Sequence, residues 1–185
     1  NRGGKEYSDA WVKFIKNSIA QVAPHFTMKR QLDDYYSKFY NKQAKRFHHL
    51  MADDAKAART LAAWKEAVAA RWNEIEVVSV EKDENVVNGN MEVGKNYSIS
   101  LVIDEKGLND AVGVELVTLT TDKNGNDTIY SVEPFAMVKK EGNLFTFNID
   151  YSVNNAGAFK VCYRIYPKHE ELPHRQDFAF VKWMA

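Results

Sequence analysis

The chain has a single cysteine, no net charge and no long apolar run among its 185 residues, and each shortage excludes something. One thiol, Cys162, makes no internal disulfide. It lies in an alternating strand pattern, which predicts a buried and chemically quiet side chain. No stretch approaches the roughly eighteen apolar residues of a membrane span. The opening Asn1-Arg2-Gly3-Gly4-Lys5-Glu6 lacks the apolar core of a signal peptide. A cytoplasmic protein with no membrane partner is the expectation. The first residue is not methionine, which predicts a fragment of something longer. Also missing are a glycine-rich phosphate loop, a nucleophile elbow and any paired Cys or His at zinc spacing.

What is present is a soluble, globular composition, 45% hydrophobic and 27% charged. Zero net charge hides an asymmetry: residues 1–75 hold 14 Lys and Arg against 8 Asp and Glu, and the remainder 11 against 17. A basic face of that size can hold a polyanion, but mutual attraction between two oppositely charged units explains it more simply. No nucleic-acid partner is expected.

The hydrophobic period changes between Trp72 and Val77, which divides the chain into a helical segment, 1–75, and a strand-rich domain, 76–185. Ser8 is placed to cap a first helix near 9–23 with Trp11, Phe14, Ile15, Ile19 and Val22 on one stripe, and Pro24 stops it. Thr27 is placed to cap a second, near 28–52, whose apolar face is rich in aromatics: Tyr35, Tyr36, Phe39, Tyr40 and Phe47. Asp53 and Asp54 break the pattern and are placed to cap a third, near 54–72, with Leu61, Val68 and Trp72 on its stripe. Three helices cannot hide that much aromatic surface by themselves, so part of the second is expected to pack on protein outside this chain.

After Trp72 the pattern becomes short alternating runs between turn residues. Strands are predicted at Glu76 to Glu81, Asn96 to Ile103, Gly113 to Thr121, Thr128 to Val138, Leu144 to Tyr151, Phe159 to Tyr166 and Phe178 to Trp183. Asn124-Gly125 and Glu141-Gly142-Asn143 supply tight reversals. Seven short strands suggest an immunoglobulin-like antiparallel sandwich, making the whole an α+β multidomain fragment. In the sixth strand Phe159, Val161, Tyr163 and Ile165 share one face, while Lys160, Cys162, Arg164 and Tyr166 share the other.

Candidate chemistry is sparse. His48 and His49 are adjacent on a helix, so their side chains diverge by about a hundred degrees and suit a solvated face better than one metal ion. His169, His174 and Asp177 share the connection before the last strand, but their spacing matches no strong ligand motif. Lys38, Lys42 and Lys45 form a basic stripe that reads as the wet side of an amphipathic helix. Tyr130, Tyr151, Tyr166 or Trp183, if exposed, can stack on sugar rings, and the pattern does not separate a sugar platform from a core face.

Ala57-Ala58-Arg59-Thr60-Leu61-Ala62-Ala63-Trp64-Lys65, with Val68 and Trp72, resembles the end of bacterial α-glucan phosphorylases of the glycogen and maltodextrin type. Trp11-Val12-Lys13 and Tyr35-Tyr36-Ser37-Lys38-Phe39-Tyr40 are similar to the helices leading into it. Gly157-Ala158-Phe159-Lys160-Val161-Cys162-Tyr163-Arg164-Ile165-Tyr166-Pro167-Lys168-His169, with Leu172, resembles the family's last segment. The resemblance implies a two-lobed, pyridoxal phosphate-dependent glycosyltransferase that cleaves α-1,4-glucan with phosphate and releases glucose 1-phosphate. The family's cofactor lysine and its glucan and phosphate ligands lie upstream of such a segment. No catalytic, cofactor-binding or metal-binding residue therefore carries over, and Lys38, Lys42 and Lys45 are not promoted to that role. The expected partners are an upstream catalytic lobe of the same chain, α-glucan as a candidate ligand, and a second copy through the helical segment. An α-glucan-binding module and a non-catalytic interaction domain are the alternatives.

Overall fold

In the computed structural model, which describes residues 3–4 and 6–184, the helical period of the sequence becomes a succession of helical segments of uneven pitch. The chain divides into two units, Asn1–Thr60 and Leu61–Ala185, and each has its own logic.

In the first unit, α1 (Asp9–Asn17) begins after Ser8, but the Ser8 hydroxyl makes no capping bond. Only its carbonyl takes part, accepting the Val12 N–H at 3.0 Å, while Asp9 supplies negative charge to the first turn. The helix is regular only to Asn17. Pro24 has no N–H for the carbonyl of Ala20, and the backbone widens over Ser18–Val22, where the Ala23 amide reaches Ser18, before tightening through Ala23–Phe26. Then α2 (Met28–Tyr35) starts as the sequence predicts, with Thr27 Oγ1 accepting the Arg30 N–H at 3.2 Å. A second widening at Tyr36–Tyr40 gathers aromatic rings: Tyr36 meets Tyr40 edge-on at 5.5 Å, and Tyr35 lies 6.1 Å from Phe39.

The long α3 (Asn41–Arg71) leaves helical geometry at Ala52–Ala55, with Asp53, Asp54 and Ala55 at φ of 50°, 57° and 58°. Left-handed backbone costs an L-residue about 1–2 kcal/mol, least for Asp and Asn, so the two aspartates shape the break through their backbone. The predicted cap is not what Asp54 does, since its carboxylate pairs with Arg59 at 2.8 Å. None of the described residues up to Thr60 is buried. Trp11, Phe14, Tyr36, Phe39 and Phe47 all stand in solvent, and Phe26 is 77% exposed.

The second unit starts with the end of α3. Val68, Trp72 and Ile75 are buried in one core with the strands, so residues that the period assigns to the helical segment belong physically to the sheets. The strands are β1 (Glu76–Lys82), β2 (Asn96–Asp104), β3 (Val112–Thr121), β4 (Asp127–Pro134), β5 (Ala136–Glu141), β6 (Leu144–Ser152), β7 (Lys160–Pro167) and β8 (Lys182–Met184), with a one-turn helix α4 (Glu84–Val87) between β1 and β2. Every pairing is antiparallel. They form two four-stranded sheets, ordered β1-β2-β6-β5 and β4-β3-β7-β8. Period-two patterning determines what is inside: Tyr97, Ile99, Leu101 and Ile103 of β2 lie opposite Tyr151, Ile149, Phe147 and Phe145 of β6. Across the core, Val114 and Leu116 of β3 pair with Ile165 and Tyr163 of β7. Burial of each such side chain contributes about 1.5–3 kcal/mol.

Two strand predictions need correction. The single strand Thr128 to Val138 is split between the sheets at Pro134-Phe135. Proline ends β4, and Phe135 turns inward, giving its N–H to Val114 at 2.9 Å and its ring to Tyr163. The predicted strand Phe178 to Trp183 is instead a helical turn, Arg175–Phe178, followed by the short β8. Phe178 and Phe180 do not alternate with a sheet; they pack against Trp64 of α3 and Trp72 of the turn that follows it, at 5.4 and 5.6 Å. Cys162 is half-buried, not buried. Among the described residues, no helix is long and apolar enough to cross a membrane.

Candidate functional site

His48 and His49 lie exposed on α3. Lys38 is held by Asp34 at 3.2 Å, which ties down one end of the basic stripe. His169 rests its ring on Trp64 at 4.6 Å and accepts the Glu171 N–H at Nδ1. His174 and Asp177 form a reciprocal helix cap: His174 Nδ1 accepts the Gln176 N–H, and Asp177 accepts the His174 N–H at 3.0 Å. These three side chains organise turns. Among the described residues, no group of three or more His, Cys, Asp and Glu is arranged to hold a metal ion.

The four candidate aromatics separate. Tyr151 is buried, its hydroxyl 3.3 Å from that of Thr118. Tyr130 and Trp183 lie on β4 and β8, the opposite edge strands of one sheet, at 51% and 49% exposure. Tyr166 lies over Gly113, where a methyl group would come under 3.0 Å from the ring.

Two constellations emerge. On the outer face of β3 and β7, Arg164 gives Nε and Nη2 to one oxygen of the buried Glu115 at 2.9 and 2.6 Å, and Arg175 pairs with the other oxygen. Each guanidinium also covers an aromatic ring, Arg164 over Trp183 at 5.3 Å and Arg175 over Tyr166 at 4.1 Å. Burial raises the Tyr166 hydroxyl pKa, with Arg175 opposing. A shallow hollow of about 340 Å³ lies beside these groups.

The second constellation is at the β4 edge. Tyr130 is the extra residue of a bulge, since Thr118 pairs with Ser131 and Leu119 with Ile129; such bulges re-aim a side chain. Its ring centroid lies 5.0 Å from that of Phe159, and Asn155 Nδ2 donates to its hydroxyl. A cleft of about 100 Å³ bounded by Tyr130, Glu133, Ser152, Asn154 and Phe159 adjoins a hollow of about 420 Å³, and Met91, Val153, Asn155 and Phe159 line both. Sequence reasoning singled out Tyr130 but missed Asn155 and the pairing with Phe159. The available signal was Asn154-Asn155-Ala156-Gly157, a turn sequence ending two residues before the aromatic Phe159.

Residues 72–185 match the family described as the glycogen phosphorylase C-terminal domain, and the chain belongs to that family. The match begins at Trp72, which directly follows α3 and is buried with the sheets. Over 183 residues the chain is 25% identical to the maltodextrin phosphorylase of Thermococcus litoralis, an alignment covering 94% of this chain and 20% of that protein. It is thus a C-terminal region of an α-glucan phosphorylase, and it spans about a fifth of the length of that curated relative. No solved structure matches it significantly.

Proposed function

We propose that the chain completes an α-glucan phosphorylase whose parent enzyme cleaves α-1,4-glucan with phosphate and releases glucose 1-phosphate. In this reading the helical unit up to Thr60 packs on the upstream catalytic lobe, and the strand domain, 76–185, with residues 61–75 packed into its core, is a sandwich that stabilises that lobe or adjusts assembly. The strand order supports an immunoglobulin-like description, a β1-β2-β6-β5 layer facing a β4-β3-β7-β8 layer as in the ABED and C′CFG layers of that fold. A cytoplasmic location belongs to the same proposal, in keeping with the free thiol of Cys162.

The observation that carries the reading is the bare helical unit. An apolar stripe with no buried member among the described residues up to Thr60 is the surface of a larger assembly, because patches of that size mark a missing partner. Pyridoxal phosphate belongs to the parent in this proposal. A phosphate-bearing aldehyde needs a lysine and anion donors converging in a pocket, and no lysine lines any of the three hollows described above. None of these three hollows fits the cofactor.

Alone, the chain is expected to release no glucose 1-phosphate from glycogen and to self-associate through its helices. Burial is worth about 1.5–3 kcal/mol per large side chain, so five or six aromatics exceed the lower estimates of association cost, about 4 kcal/mol. Exchange of helices between copies is a suitable geometry. Sedimentation of the whole chain beside one starting at Leu61 checks this; a start at Ile75 would remove the buried Val68 and Trp72. Monomers in both cases across micromolar concentrations would remove the physical support for a missing lobe. Phosphorolysis by the purified chain would overturn the assignment of the chemistry to the parent.

A further inference from the structure

We propose that the Tyr130–Phe159 cleft at the β4 edge is an α-glucan subsite, holding a short stretch of the polymer away from the catalytic lobe. The inference rests on the reading that the parent acts on α-glucan; the cleft itself argues for a neutral, hydroxyl-rich ligand. A pyranose ring offers one apolar face of C–H groups and a rim of hydroxyls. It is held by an aromatic face combined with side chains that donate and accept hydrogen bonds.

The β4 edge has both parts. Tyr130 is half exposed, its ring tilted 48° to that of Phe159, so the two form an open angle of aromatic surface. Around them Ser131, Glu133, Ser152, Asn154 and Asn155 supply hydroxyl, carboxylate and amide groups. No Lys or Arg lines either the cleft or the adjoining hollow. A phosphate or sugar phosphate would meet one carboxylate and no cation there, which selects against anions. The Arg164–Arg175 hollow on the same sheet has the opposite character, and its cations are committed to Glu115.

Preorganisation distinguishes the cleft from an incidental aromatic. The bulge places Tyr130 out of the ordinary β4 register, and the Asn155 amide fixes its hydroxyl. The ring therefore loses little freedom when a ligand stacks on it. The adjoining hollow, about 420 Å³, falls within the ordinary range of small-molecule sites, about 300–1,000 Å³. It is lined by Val153, residues 155–159, Gly89, Met91 and Val93, so a chain of sugars stacked on Tyr130 has somewhere to continue.

The test is titration of the full chain with maltoheptaose, followed by amide NMR shifts and by calorimetry. Saturable binding is expected, with the largest shifts at 130–133 and 152–159. Tyr130→Ala and Phe159→Ala should each weaken it at least about fivefold, a reasonable loss for one aromatic contact. Asn155→Ala should weaken it less, by freeing the Tyr130 ring. Trp183→Ala, on the opposite edge of the sheet, should leave affinity unchanged. Thermal melting of Tyr130→Ala close to wild type confirms that the fold is intact. Unchanged affinity in Tyr130→Ala, or equal affinity for cellohexaose, overturns the α-glucan subsite. Failure of the wild-type chain to bind any glucan at millimolar concentration also overturns it, yet leaves the phosphorylase reading standing, since the sedimentation and phosphorolysis tests do not involve this cleft.

Discussion

Removing the Glu115 carboxylate should destabilise the second unit more than removing either of its arginines. The side chain is 2% exposed and is met by Arg164, 21% exposed, and Arg175, 52% exposed. Arg175 keeps much of its hydration, and its pair is worth at most about 1 kcal/mol after solvent screening. Arg164 makes two charge-assisted bonds to one oxygen, an arrangement worth about 1.5–3 kcal/mol. Glu115→Ala loses both and leaves Arg164 short of a partner at a largely covered site, so we expect a loss of about 2–4 kcal/mol. For a unit of this size that lowers Tm by about 10 °C. Glu115→Gln keeps the shape and one acceptor, and should fall midway. Urea unfolding followed by tryptophan fluorescence measures each step, and a cycle with Arg164→Ala isolates the pair. Arg175→Ala should cost less than about 1 kcal/mol. If Glu115→Ala proves as mild as Arg175→Ala, or the Glu115–Arg164 coupling is below about 0.5 kcal/mol, the carboxylate is not the centre of this network.

Glu105 is fully buried; Oε2 accepts the Ala111 N–H, and Oε1 has no partner. Burial raises its pKa above the usual carboxylate value, with the backbone N–H groups of Ala111, Asp110 and Val112 opposing. A raised acid holds its proton longer folded than unfolded, so its contribution is full below the unfolded pKa and is lost as pH rises through the interval up to the folded one. Glu105→Gln should therefore raise stability at neutral pH and flatten the fall above the ordinary carboxylate range; an unchanged pH profile in chemical denaturation would refute this. Gly113→Ala should drive the Tyr166 ring off β3 and break its stack with Arg175, costing about 1–3 kcal/mol. Adding Tyr166→Ala should recover most of that loss, and a double variant no more stable than Gly113→Ala alone would show that the glycine serves the backbone.

Much of this protein was legible because its periods are strong. Alternation put Phe159, Val161, Tyr163 and Ile165 on one face of the sixth predicted strand, and it is that face whose Tyr163 and Ile165 the core buries. Thr27 capped its helix because a hydroxyl at that position meets a free N–H whatever lies around it. Ser8 did not, since occupying a cap position does not oblige the side chain to bond there. Turns at Gly125 and Gly142 followed from local chemistry alone, both glycines having left-handed φ. The Tyr130–Phe159 cleft was only half visible, because Asn155 reaches Tyr130 across 25 residues and no local pattern records such a meeting.

The sequence by itself determined the order of helix and strand, the apolar face of each strand and the aromatic stripe of the helices, because these depend on spacing along the backbone. Only the tertiary structure decided that β4 and β5 belong to different sheets, because Phe135 takes its place in a core made by residues far away. It alone set the end of α3 among the strands, where Trp64 and Trp72 meet Phe178 and Phe180 from the other end of the chain. Local propensity fixes how a segment repeats; which surface it covers depends on partners brought together only when the chain closes on itself.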